Sequence, residues 1–318
     1  MAVTLAQAAV LSENDLQRGV IETFIIESSV LDRMSLLEIQ GNAYAYTVEE
    51  SLPGVEFRAV NAAYAESTGT VNQRTETLVI LGGDADVDTF IAQTRSNLND
   101  QRAVQTRMKV KSAVYKYQDT FINGDVAVDA NSFDGLKKRL TGAQIIDAAP
   151  NGMPIIGGSD NERYAFLDAL DSLIAAVGAP GPDALYANRS IIQKIKSSAR
   201  RLAIFDQTID AFGRTITSYN GIPLLDIGTK ADGSLIIPQT ETQGTSAGTS
   251  SSIYAVKFGQ NETDGGITGL TNGGVQVFDF GGQQMQDKPV YRTRLEFFCG
   301  MAAFGGKAAA RLRGVLNA

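Results

Sequence analysis

The spacing of apolar positions changes repeatedly over the first 125 residues, and each change predicts a different element. Ser12 opens a helical pattern. It is a serine N-cap with Asp15 three residues on, and Leu16, Val20, Ile21, Phe24 and Ile25 share one face before Glu27, Ser28 and Ser29 close it. From Gly41 the period is two: Tyr44, Tyr46 and Val48 alternate against Ala43, Ala45 and Thr47, as in a half-buried strand. A second strand is predicted from Thr70 to Leu81, and the polar stretch between carries Pro53-Gly54. A structureless loop of about twenty residues is uncommon inside a domain, so the pattern predicts a two-stranded ribbon projecting from the body. An isolated hairpin is marginal in water, and the natural support for such a ribbon is another subunit.

Residues 80–125 (ILGGDADVDTFIAQTRSNLNDQRAVQTRMKVKSAVYKYQDTFINGD) read as a Gly-Gly turn, an acidic helix start, one helix of more than thirty residues and an Asn-Gly stop. Ordinary helices run to about 11–12 residues, so this one predicts the spine of an elongated subunit. Asp84, Asp86 and Asp88 resemble the opening of a calcium loop, but Thr89 stands where that loop needs glycine and Arg95 where it needs glutamate. Capping and dipole complement suit the three carboxylates better. Ile91, Leu98, Val104, Met108, Tyr115 and Phe121 form a thin apolar stripe. Arg102, Arg107, Lys109, Lys111 and Lys116 make the later part of the helix basic, and Gly124 suits a left-handed C-terminal stop.

After FDGLKKRL the pattern predicts a separate α/β unit. Phe166, Leu167, Leu170, Leu173, Ile174 and Val177 give a helical face, 183–187 a short strand, Asn188 an N-cap and 189–198 a helix. Residues 215–227 form a hairpin about Asn220-Gly221. The polar run 239–252 predicts a surface loop, and 253–258, 275–280 and 290–298 predict strands, the last returning to the long helix.

Composition removes much catalytic chemistry. The chain has 318 residues, no histidine and one cysteine, Cys299, which lies in the apolar run LEFFCGMAAF and reads as a core residue. Histidine triads and most zinc sites are therefore absent. No dinucleotide fingerprint, phosphate loop, nucleophile elbow or metal-spaced cluster is present, so no catalytic, cofactor-binding or metal residue is assigned. No apolar run reaches about 18 residues, which gives no membrane-spanning segment, and no signal peptide is expected at the N-terminus.

Charge is uneven. Residues 1–100 hold 15 acidic against 5 basic side chains, a net of −10, while the other 218 hold 20 against 23. An acidic N-terminal third could lie on the basic half of a neighbour's long helix, or simply face solvent. The overall net charge of −7 argues against general DNA binding.

The order of arm helix, ribbon, GGDADVDTFI, long helix, DTFINGD, FDGLKK, PDALYANR and FGRTITSYNGIPLLDIG resembles the major capsid protein of tailed bacteriophages, the HK97-like fold, over nearly the whole chain. The resemblance implies an α+β subunit with an N-terminal arm (1–40), an extended β-ribbon loop (41–81) and a peripheral domain with the spine helix (82–134). An α/β axial domain (135–259) and a return to the peripheral domain (260–318) complete it. It implies pentamers and hexamers closing into an icosahedral shell around double-stranded DNA, without sequence-specific binding, in the virion after assembly in the host cytoplasm. Other copies of the chain are the main partners, with separate scaffolding, portal and decoration proteins beside them. Tyr44, Tyr46, Phe57 and Arg58 on the ribbon, with Arg102, Arg107, Lys109 and Lys111 on the helix, are the candidate intersubunit contacts.

Some family members join a ribbon lysine to a neighbour's asparagine. Here the first lysine is Lys109, so the ribbon has no amine to offer and the shell is expected to hold non-covalently. The early start of the arm helix implies a separate scaffold or an already processed chain. An encapsulin-like nanocompartment is the second reading, and a soluble two-domain enzyme or ligand-binding protein is the reading from another class.

Overall fold

A computed structural model describes residues 2–4, 19–23, 27–95, 101–201, 206–209, 215–245, 248–281 and 288–317. Two sheets are built on one side and the other of a common core. The first runs in the order β1 (Ala2–Thr4), β2 (Ser35–Glu38), β13 (Ile267–Gly281), β14 (Val290–Ala303) and β5 (Val79–Asp88). The second follows β6 (Ile145–Asp147), β15 (Ala309–Leu316), β12 (Ser250–Val256), β8 (Ala184–Ala187), β11 (Ile222–Asp226), β10 (Thr215–Tyr219) and β9 (Asp206–Ile209), with β7 (Met153–Pro154) beside β15. β3 (Ala43–Ser51) and β4 (Thr70–Thr77) stand apart as a two-stranded ribbon.

The region read as one long helix divides differently. Gly82-Gly83 and the aspartates at 84 and 86 belong to β5, an edge strand antiparallel to β14. A Cβ on Gly82 would collide with the Leu295 carbonyl, so the glycine permits close strand approach where a turn was expected. Asp84 and Asp86, two residues apart, share a strand face and pair with Arg294 and Arg292 of β14. They are cross-strand partners and not helix caps. Only Asp88 caps: the Phe90 N–H donates to its Oδ1 at 2.8 Å, opening α1 (Thr89–Arg95).

The second helical segment, α2 (Gln101–Asn123), is 23 residues long, and residues 96–100 lie outside the described residues. Its buried face is Val110, Ala113, Val114, Tyr117, Phe121 and Ile122. The expected stripe fits at Phe121, which is buried, and at Tyr115, which packs half-buried against the same core, whereas Ile91, Val104 and Met108 are exposed and Leu98 lies outside the described residues. The first part of α2 overhangs the core, so nothing there selects an apolar face. Gly124 is not left-handed; a side chain there would meet the Phe133 and Thr120 carbonyls, where the chain doubles back into α3 (Leu136–Arg139).

Tyr117 carries the joint between α2 and the first sheet, with its ring 5.8 Å from both Phe133 and Phe297. The strand around 290–298 does return to the long helix. The same buried cluster reaches Tyr186 and Tyr254 on the second sheet. The arm pattern is described only in part: Val20 and Ile21 are buried in a helical turn at 19–23, whereas Ser12, Asp15, Leu16, Phe24 and Ile25 lie outside the described residues.

A second cluster seats α4 (Asp160–Ala175) and α5 (Arg189–Arg201) on the second sheet through Phe166, Leu170, Leu173, Ile191, Ile195 and Leu312. The Ile191 N–H donates to Asn188 Oδ1 at 2.9 Å, as the N-cap signal predicts, and Ser159 closes a capping box with Glu162 that the apolar pattern did not single out. The hairpin turn has φ of 50° at Asn220 and 77° at Gly221, the mirror-image turn that Asn-Gly favours. Two expectations fail here. Ser250, Ser251 and Ser252, placed in a surface loop, are fully buried in β12, where Glu241, Asn188 and Arg311 satisfy their hydroxyls. β15, placed among residues returning to the peripheral domain, pairs instead with β12 and β6 in the second sheet.

Candidate assembly surface

The ribbon is rooted by aromatic packing and charge. Tyr46 and Val48 face inward, while Ala43, Ala45 and Thr47 face solvent, as the alternation requires. The Tyr46 ring stands edge-on to Phe304 at 5.1 Å, in a small cluster with Ile39, Leu270 and Ala302. Its hydroxyl donates to Glu76 Oε1 at 3.3 Å, and Glu76 in turn holds the guanidinium of Arg139. Tyr44 donates to Glu262 Oε1 at 2.7 Å; burial and that carboxylate push its phenol up to about 12.

Beyond the root, every residue from 51 to 75 is exposed. Cross-ribbon bonds nevertheless continue the strand register toward the tip. β3 and β4 pair Ala43 with Thr77 and Ser51 with Thr70. The Ser67 hydroxyl then donates to the Gly54 carbonyl at 2.8 Å and the Ala65 N–H to Glu56 Oε1 at 2.7 Å. At the tip, Arg58 donates to the Ala62 carbonyl at 3.2 Å and lies over the Tyr64 ring at 5.1 Å. Val55, Phe57 and Val60 stand almost wholly in solvent, Phe57 at 108% of its reference exposure. Apolar side chains held out on a hydrogen-bonded ribbon form the kind of patch that marks a contact surface.

The helix residues are more engaged within the chain than their sequence suggested. Arg102 forms a two-point ion pair with Asp279, at 2.6 and 2.7 Å, and covers the Tyr291 ring at 4.9 Å. Lys111 pairs with Glu27 of the N-terminal third at 3.2 Å, and Tyr115 and Glu27 hold its ammonium above its ordinary value. The Lys109 side chain lies along Gly83 of β5. Arg107 is exposed and lines a groove between α2 and the helical turn at 19–23. One of the expected attractions between N-terminal third and helix, Lys111 with Glu27, is thus satisfied inside one subunit, and Arg102 is engaged by Asp279 of β13. Of the eight candidate contacts, Phe57 and Arg58 lie on the open surface, whereas Tyr46 is only 2% exposed and has almost no surface to offer a neighbour. Val55 and Val60 were missed; their signal was an apolar residue inside a stretch read only as polar connection.

Among the described residues, no group of three or more His, Cys, Asp and Glu converges to hold a metal, and no helix is long and apolar enough to cross a membrane.

The model of one family, the major capsid protein GP7, matches residues 12–165, about half of the chain. No curated protein matches the sequence. Among solved structures, a chain of the holo-SrpI encapsulin complex from Synechococcus elongatus superposes with a TM-score of 0.63 at 16% identity, covering 99% of this chain and 96% of that one. A capsid chain of an empty GTA particle gives 0.59 at 18% identity, over 91% and 90%. A chain of Mycobacterium phage Bobi gives 0.59 at 13%, over 90% and 89%. At such identities the likeness shows the HK97-like fold of tailed-bacteriophage and encapsulin-like shells, and the match to the GP7 model over residues 12–165 joins it in supporting a structural major capsid protein.

Proposed function

We propose that this protein closes through pentamers and hexamers into an icosahedral shell that encloses double-stranded DNA, and that the shell holds non-covalently. One observation carries the reading: a hydrogen-bonded ribbon whose residues 51–75 are all exposed and which presents Val55, Phe57 and Val60 to solvent. Stable interfaces bury on the order of 1,200–2,000 Å², and a ribbon of this length laid on an adjacent subunit supplies a large share of that. Modest contacts suffice, because copies in a closed shell reinforce one another. The ribbon contains no lysine, which supports the non-covalent form.

In this reading α2 is the spine helix and residues 1–40 the arm. The first sheet belongs to the peripheral domain, and the second sheet with α4 and α5 forms the axial domain, to which β15 is added. The protein resides in the virion after assembly in the host cytoplasm, with separate scaffolding, portal and decoration proteins as further partners. The test is electron microscopy of the purified protein beside a variant lacking the ribbon between Val48 and Thr70. Closed shells from the first and folded, unassembled subunits from the second are expected; normal shells from the variant would refute the ribbon's role.

The near full-length superposition on the SrpI encapsulin chain favours a second reading, a nanocompartment that holds protein cargo. Shell contents separate the two: nuclease-protected DNA supports the first and a co-purifying protein the second.

A further inference from the structure

Between α4, α5 and the β10–β11 hairpin lies a largely enclosed cavity of about 80 Å³. Phe166, Leu167, Ile195 and Leu224 form apolar walls. Ser198 of α5 and Ser218 of β10 line the same space; they are 2% and 5% exposed, and neither hydroxyl has a hydrogen-bond partner among the described residues. Buried hydroxyls are rarely left this way, and two in one small cavity point to an occupant that supplies the missing bonds. At the edge, Tyr219 donates to Asp171 Oδ1 at 2.8 Å and Asn220 Nδ2 to the same oxygen at 3.2 Å, so those polar groups are already committed.

The chemistry of the lining narrows the occupant. No charged side chain lines the cavity among the described residues, so a bare ion would be desolvated without a counter-charge. A purely apolar molecule would leave both serines unsatisfied. The space holds only a few non-hydrogen atoms, since a cavity of roughly twice this size takes benzene. We propose that this cavity is a binding site for a small neutral alcohol, with its hydroxyl bridging Ser198 and Ser218 and its short aliphatic tail against Phe166, Ile195 and Leu224. A hydroxyl donates once and accepts twice, so a single one can serve both serines.

The test uses the full-length protein with 1-propanol as probe, by saturation-transfer NMR and by a high-resolution structure with the alcohol present. Saturation of the propyl methyl with millimolar affinity and density between the two serines are expected. The double variant Ser198→Ala/Ser218→Ala should bind about tenfold more weakly and be at least as stable as the parent without ligand, because it removes two unpaired polar groups. Ala199→Leu, which keeps both hydroxyls but fills the space, should abolish the transfer. Water alone in the cavity, undiminished binding by either variant, or a destabilised double variant would overturn the assignment.

Discussion

Arg139 and Glu76 form a nearly buried two-point ion pair between α3 and the root of the ribbon, with Nη2 to Oε2 at 2.7 Å and side-chain exposures of 11% and 18%. Burial works against the guanidinium charge, but the Glu76 carboxylate outweighs it and holds Arg139 above its ordinary value. Removing one partner strands the other in a poorly solvated place. Arg139→Ala should therefore destabilise the subunit by about 2–4 kcal/mol in chemical denaturation. Hydrogen exchange should rise first in β3 and β4, since the lost contact is at their base. A uniform rise across both sheets would show that the pair serves the whole core and not the ribbon.

The tip should behave in the opposite way. Val55 and Phe57 touch almost nothing in their own subunit, so Phe57→Asp and Val55→Asp should leave the unfolding midpoint of the isolated subunit within about 0.5 kcal/mol of the parent. If the tip lies on a neighbour, the same changes put a carboxylate into an apolar contact and should sharply reduce shell yield in sedimentation. Unchanged yield would remove the tip from the interface.

The ribbon was legible because its two signals, period-two alternation and an over-long connection, are local. The β5–α1 boundary was not. Aspartates two residues apart look the same ahead of a helix as on one face of a strand, and the arginines that decide the matter lie 206 and 210 residues away in β14. β15 escaped notice for a related reason. It is buried on both faces for most of its length and so shows no alternation, and its Arg311 finds its hydrogen-bond partners in the distant Glu241 and Ser252. Among the candidate contacts, alternation separates inward from outward side chains but does not say whose core the inward ones enter. Tyr46 faces inward into its own subunit.

The Asp84–Arg294 and Asp86–Arg292 pairs predict an acid response. Hydrogen bonding from each arginine holds the partner carboxyl below its ordinary value of 3.8. A folded-state value below the unfolded one contributes stability that is full above about pH 4 and is lost as pH falls through the depressed value. Asp84→Asn/Asp86→Asn should thus be somewhat less stable than the parent at pH 7, with the difference shrinking toward pH 2. The effect should be modest because solvent screens both pairs. Thermal midpoints across that range provide the measurement, and a constant difference would assign the loss to geometry and not to charge.

Salt supplies a separate measure of what holds the shell. Arg102 and Lys111 are engaged with Asp279 and Glu27 of their own subunit, so charge attraction between subunits should be a minor component. Assembled particles should lose little when moved from low to molar salt, whereas dissociation at high salt would restore the acidic-arm-on-basic-helix contact.

Cys299 reports on the joint between α2 and β14. It lies on the same strand face as Phe297, both fully or almost fully buried against α2, and burial pushes its thiol up to about 12. Thiolate is therefore scarce at neutral pH, and the side chain is almost wholly shielded from solvent. A thiol reagent at pH 8 should leave the native protein unmodified and label one site per chain only on unfolding. Phe297→Ala should open a cavity beside Tyr117 at a cost of about 3–5 kcal/mol and speed labelling by the corresponding rise in the open population. Rapid labelling of the unaltered native protein would mean that the joint opens on its own, and the core described here would then have to be looser than its packing indicates.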